Sequence, residues 1–191
     1  MSIINKIAMA TTRVQRIFVQ PASAHCDTED GPTVTDGRRA LATGNINYAL
    51  KWVAATAEPP VRQAFARATA AQVNGDAEAA ARDFLETLVQ VHRAGEGASY
   101  EGIKPVGTGV APQVVAADAA LAAGSIAPLR DLVAPDRWAE LERRFADAQA
   151  RKDYDVDDLP AARRYISAYV SFFKYAEGEE HEHASSAGHH S

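Results

Sequence analysis

From residue 33 onward apolar residues recur at three- and four-residue spacing, as in Leu85, Leu88 and Val91, the pattern of an amphipathic helix. Alanine is abundant and runs of β-branched residues are scarce, which suits helix and disfavours strand. The pattern predicts helices near 33–43, 46–56, 60–73 and 77–95, a Gly/Pro-rich loop from Gly97 to Pro112, and helices near 113–123, 126–133, 136–151 and 159–177. Gly44 and Gly124 suit the left-handed position that closes a helix. Asn45, Ser125, Asp76 and Asp158 suit N-caps, and Pro160 fits a first turn. Trp52, Trp138, Phe145, Tyr165, Tyr169, Phe172 and Phe173 supply the bulk of the expected core.

The same punctuation recurs along the chain. A shift of 80 residues lays Pro32 on Pro112, Val34 on Val114, Gly44 on Gly124, Val53 on Val133 and Phe65 on Phe145. One further residue of shift lays Ala80-Ala81-Arg82 on Ala161-Ala162-Arg163 and Glu96-Gly97 on Glu177-Gly178. This predicts an all-α fold of about eight helices, a tandem duplication of a four-helix unit, bundle-like and packed about a pseudo-twofold axis. The expected organisation is a leader or amphipathic segment over 1–24, a first repeat over 25–110, a second over 111–178 and a disordered His/Glu tail over 179–191.

Composition bounds the partners. The chain has 191 residues and a net charge of −5, which argues against a nucleic-acid or anionic-membrane partner. No apolar run approaches the roughly 18 residues of a membrane span. One cysteine, Cys26, excludes a disulfide framework and every Cys-pair zinc site. Residues 1–24 are basic, carrying Lys6, Arg13 and Arg16, and end in Ala22-Ser23-Ala24. Arg13 and Arg16 interrupt the apolar run a secretory signal needs, so the cytoplasm is the expected location, with export and removal of 1–24 as the alternative.

Differences between the repeats locate candidate chemistry. His25-Cys26-Asp27-Thr28-Glu29-Asp30 precedes the first repeat, whereas Val106–Ala111 precedes the second and offers no ligand beyond a hydroxyl. Imidazole, thiol and carboxylate within three residues form a donor set suited to Ni, Cu or Zn. The competing reading makes Cys26 a small buried hydrophobe and Asp27 or Asp30 a turn cap. His92 lies on the inward stripe of its helix and falls opposite Phe173 of the second repeat; Glu96 follows one turn later on the same face. It reads either as a hydrogen-bonded core histidine or as a ligand sharing a metal with Glu96. His181, His183, His189 and His190 belong to a solvated tail with weak metal affinity at most.

Two resemblances attach to these residues. His25-Cys26-Asp27-Thr28-x-Asp30-Gly31-Pro32, together with Glu86–Gly97, resembles an uncharacterised bacterial family of helical proteins, over nearly all of His25 to Glu177. That likeness implies the helical fold and no activity. His25-Cys26-Asp27 after a short basic leader is similar to the metal hook of nickel superoxide dismutases, which implies a nickel ligated by the first residue's amine and imidazole and by thiolates. Asp30 stands where that family has its second cysteine, so the likeness supports a metal hook more than dismutase chemistry.

The leading expectation is a small helical metal-binding protein, redox-related, with His25, Cys26, Asp27, Asp30, His92 and Glu96 as candidate ligands. Its rival is a non-catalytic helical-repeat module that binds a partner protein or assembles into a homo-oligomer. A thiol sensor built on Cys26 ranks last, because Asp27, Glu29 and Asp30 oppose a thiolate.

Overall fold

The computed structural model describes residues 25–74 and 77–178. Seven helices are found among them: α1 (Pro32–Thr43), α2 (Asn47–Leu50), α3 (Glu58–Asn74), α4 (Ala77–Gly95), α5 (Pro112–Ala123), α6 (Trp138–Arg151) and α7 (Leu159–Glu177). Short 3₁₀ turns occupy Ala55–Ala57, Ala127–Leu129 and Pro135–Arg137. The fold is all-α; the described residues contain no strand, only an isolated parallel bridge between Thr28 and Lys104. No described helix is long and apolar enough to cross a membrane. The expected leader (1–24), the expected tail (179–191) and the cap at Asp76 lie outside the described residues.

Two predicted helices shorten. The span 46–56 is one turn of α-helix followed by the 3₁₀ turn at Ala55, and 126–133 is a single 3₁₀ turn. Pro128 and Pro59 explain much of this, since each removes a backbone donor and restricts the residue before it. Elsewhere the boundaries follow local chemistry. Pro32, Pro112 and Pro160 sit in first turns, and Gly44 and Gly124 close α1 and α5 at φ 72° and 65°. Asp158 caps α7 by accepting from the Ala161 amide at 2.9 Å.

Several elements recur at a fixed spacing. α1, the Ala55 turn and α3 each begin 80 residues before α5, the Pro135 turn and α6, and α4 precedes α7 by 82. α4 folds back along α3 and α7 along α6, while α1 packs on α4 and α5 on α7. Buried positions recur at the same offsets: Val34 and Val114, Ala40 and Ala120, Val61 and Leu141, Ala68 and Ala148. Phe84, Leu88, Phe172 and Phe173 fill the centre, fully buried.

Polar ties join the two halves where buried backbone carbonyls need donors. Arg163 of α7 donates to the carbonyls of Val53 (2.9 Å) and Leu50 (3.2 Å) and pairs with Glu58 at 2.5 Å. Lys51, itself buried, donates to the Tyr154 hydroxyl at 2.7 Å and pairs with Asp36 at 2.8 Å. Asn45 and Asn47 both donate to Asp157, each at 2.9 Å.

Candidate functional site

The segment 25–31 is a tight strap tied down along one side. Glu29 N–H donates to Lys104 O and Lys104 N–H to Asp27 O, each at 2.8 Å. Gly31 is required at its end, since a Cβ there would lie 2.2 Å from the His25 carbonyl oxygen. The strap sends consecutive side chains in different directions. Cys26 is fully buried in the core, whereas His25 turns toward α5 and α7. His25 Nε2 lies 2.8 Å from Asp118 Oδ2 and 3.3 Å from the Tyr169 hydroxyl, and its ring meets Phe173 edge-on. Asp118 also accepts from Tyr169 at 2.8 Å.

Burial pushes the Cys26 thiol well above its ordinary range, and the nearby carboxylates of Glu96 and Asp27 add to this. In that protonated state the thiol is a poor nucleophile. Asp27 is raised from 3.8 to about 6, mainly by burial, with Arg93 and Lys104 pulling the other way. Asp30 is exposed and lowered, chiefly by a hydrogen bond from Thr28.

α4 delivers the remaining candidates. Its buried face ends on His92, Arg93 and, beyond Gly95, Glu96. His92 Nδ1 lies 2.9 Å from the Trp52 carbonyl oxygen, and the ring packs edge-on against the Trp52 indole. A carbonyl only accepts, so Nδ1 carries the proton and Nε2 presents a bare lone pair. Burial lowers His92, which favours that neutral form. A backbone carbonyl thus orients the ring. Glu96 Oε2 instead faces Nε2 at 3.8 Å, and Glu96 Oε1 pairs with Lys174 of α7 at 3.0 Å. Arg93 Nε lies 3.3 Å from Asp27 Oδ2 and donates, with NH2, to the Ser99 carbonyl.

Cys26, Asp27, His92 and Glu96 therefore gather at one corner, with His25 and Asp30 outside it. Among the described residues no group of three or more His, Cys, Asp or Glu side chains is placed to hold a metal ion. Arg93 and Lys174 bring two positive charges to the same corner, which opposes a divalent cation.

Two clefts open at the seam between the halves, on either side of Lys51, Trp52 and Ile166. One, of about 680 Å³, is walled by Asp36, Tyr48 and Trp52 on one side and Asp118, Tyr154, Tyr165 and Tyr169 on the other. Burial raises Tyr165 to about 12 and lifts Tyr169 well above the ordinary tyrosine range, so both hydroxyls stay protonated. The second, of about 530 Å³, is lined by Val53, Val91, Val170 and Ala57 with His92 and Glu96 in its wall. Sequence reasoning missed Asp118, Lys51 and Arg93. Each was signalled by a charge on an apolar stripe, as Asp118 stands between Val114 and Leu121 of α5.

No curated protein and no solved structure is detectably similar to this chain. A family model matches residues 30–175, which span both halves, both clefts and the corner at His92. The chain belongs to that family, DUF6448, a family of unknown function.

Proposed function

We propose that this chain is a non-catalytic helical binding module, built from a duplicated four-helix unit, that holds a small organic ligand at the seam between its halves. The observation that carries this reading is the pair of clefts. Both take their walls from the two halves together, so neither half alone has the site. Their volumes fall within the few hundred to about 1,000 Å³ of small-molecule sites. The larger combines five aromatic side chains with converging polar groups, the mixture that gives such sites both area and orientation. The matching element starts and the matching caps at Gly44 and Gly124 support the duplication.

Metal binding by Ni, Cu or Zn is the second reading, favoured by the gathering of Cys26, Asp27, His92 and Glu96 and by the free lone pair on His92. The cations beside Glu96 stand against it. Native mass spectrometry of tag-free protein purified from its own source separates the two. The module reading expects a bound organic mass that disappears in Ile166→Trp, which fills both clefts from their shared wall. A single metal increment that disappears in Cys26→Ser establishes the metal reading instead, and protein free of any organic mass overturns the module reading.

A further inference from the structure

Four buried polar atoms near the end of α4 have no hydrogen-bond partner: His92 Nε2, Glu96 Oε2, Arg93 NH1 and Asp27 Oδ1. Such atoms are uncommon, and each costs about 1–3 kcal/mol when left unmade. Two of them oppose one another. His92 is 4% exposed, and its Nε2, with the ring proton on Nδ1, faces Glu96 Oε2 at 3.8 Å; Arg93 NH1 lies 3.7 Å from the same oxygen. Arg93 stands beside the carboxylate, whereas the lone pair of Nε2 has no donor within hydrogen-bond distance. The wall they occupy belongs to the smaller cleft, whose other side chains are largely apolar or hydroxylic, including Val53, Val91, Val170, Ser167 and Ser171. Glu96 and Lys174, at 12% and 13% exposed, are the partly open side chains through which the pair is reached.

We infer that this cleft binds a neutral organic molecule with an apolar body and one hydroxyl, the hydroxyl donating into the gap between His92 Nε2 and Glu96 Oε2. The body lies against Val53, Val91 and Val170 and the edge of Trp52. Charge favours a neutral head group. Lys51, Arg144, Arg163 and Lys174 line the cleft, and each already has a carboxylate: Asp36, Glu140, Glu58 and Glu96. An ammonium head would have to displace Lys174 or Arg93 from Glu96, and a carboxylate head would be repelled by Glu96. A hydroxyl meets neither penalty and supplies the donor that His92 Nε2 lacks. The inference rests on the seam reading above and names the ligand class of one of its two clefts.

The test uses three probes of nearly equal shape on the full chain at neutral pH: benzyl alcohol, toluene and benzylamine. Binding is followed by the side-chain nitrogen resonances of His92 and by ring resonances of Tyr165 in the other cleft. Benzyl alcohol is expected to shift His92 Nε2 and to bind about tenfold tighter than toluene, the difference one buried hydrogen bond makes. Glu96→Gln should abolish that preference, because the amide keeps an oxygen toward Lys174 and turns its own N–H₂ toward Nε2, filling the gap from within. This substitution is isosteric, and retained helical circular dichroism verifies the fold. Equal binding of toluene and benzyl alcohol overturns the inference while leaving the cleft a ligand site. Tighter binding of benzylamine overturns the neutral class, and a response at Tyr165 with none at His92 places the ligand in the other cleft. No response to any probe also overturns the inference, and the seam reading then stands or falls on the mass measurement alone.

Discussion

α4 and α7, the long last helices of the two proposed repeats, bury aromatic rings near their ends with opposite chemistry. In the first, α4 places His92 there, its ring held by the Trp52 carbonyl and its second nitrogen unpaired. In the second, α7 places Phe173 there, fully buried against Tyr169 and needing no partner at all. One helix end thus holds an aromatic ring at little polar cost, while the other carries a ring that leaves an acceptor unmade. Local conflicts of this kind, in a chain otherwise consistent between sequence and fold, collect at functional sites. The asymmetry, more than either half alone, points to the corner at the end of α4.

Protonation gives the largest break in that comparison. Asp27 of the first half has its folded pKa raised from 3.8 to about 6, so the folded state holds its proton more tightly than the unfolded chain. The associated stability is fully present below about pH 4 and is lost as pH rises through about 6. A shift of that size corresponds to about 3 kcal/mol. Asp27→Asn cannot titrate. The stability difference between wild type and variant, measured by urea unfolding from pH 3.5 to 7.5, should therefore move against wild type by up to about that amount across this window. A difference that stays flat with pH would show that Arg93 fully compensates the buried carboxylate.

A smaller break lies in packing. Gly37 of α1 occupies the place that Ala117 occupies in α5, 80 residues later, and both are buried. A Cβ on Gly37 would fall 2.6 Å from Leu85 Cδ2 and 3.0 Å from Leu88 Cδ2 on α4, so α1 approaches its partner helix more closely than an alanine permits. The leucine ends can yield, at a repacking cost of about 1–3 kcal/mol. The helix gains back about 1 kcal/mol from the better residue. Gly37→Ala should accordingly lower stability by about 1 kcal/mol in urea unfolding, and a stabilised variant would mean the two halves pack with the same helix spacing after all.

How much of this was legible in the chain depends on which interactions were local. Helix type, Gly44, Gly124 and the Asp158 cap followed from spacing and from side chains that act on their own backbone. The stretch 46–56 read as one helix because its apolar periodicity continues, but Lys51 and Trp52 are turned inward by Asp36, which is distant in sequence. His92 and Glu96 were legible as an i, i+4 pair, and Cys26 with Asp27 does reach the same corner. The divergence of His25 from Cys26 was not legible. It depends on the Gly31 turn, on the Lys104 bridge and on a carboxylate at Asp118, none of them neighbours of His25 along α1.

The smallest expected effect sharpens the comparison from the other half. Glu140 of α6 is lowered from 4.5 to about 2, chiefly by the hydrogen bonds that Arg143 donates to it, with Arg144 adding to them. Its sign is the reverse of Asp27: the stability is present above about pH 4.5 and is lost as pH falls toward 2. About a third of the Glu140 side chain is open to solvent, so water and salt screen the pair and the net contribution stays under about 1 kcal/mol. Glu140→Gln should flatten the acid limb of the stability curve by that small amount and leave the region between pH 4.5 and 7.5 unchanged in slope, whereas Asp27→Asn acts between about pH 4 and 6. Raising the salt concentration separates the two further, because it weakens the open Glu140 pair while Asp27, shielded from solvent, keeps its dependence. If salt moved both alike, the polar corner at α4 would be as wet as the surface of α6, and its unpaired atoms would be paired with water rather than waiting for a ligand.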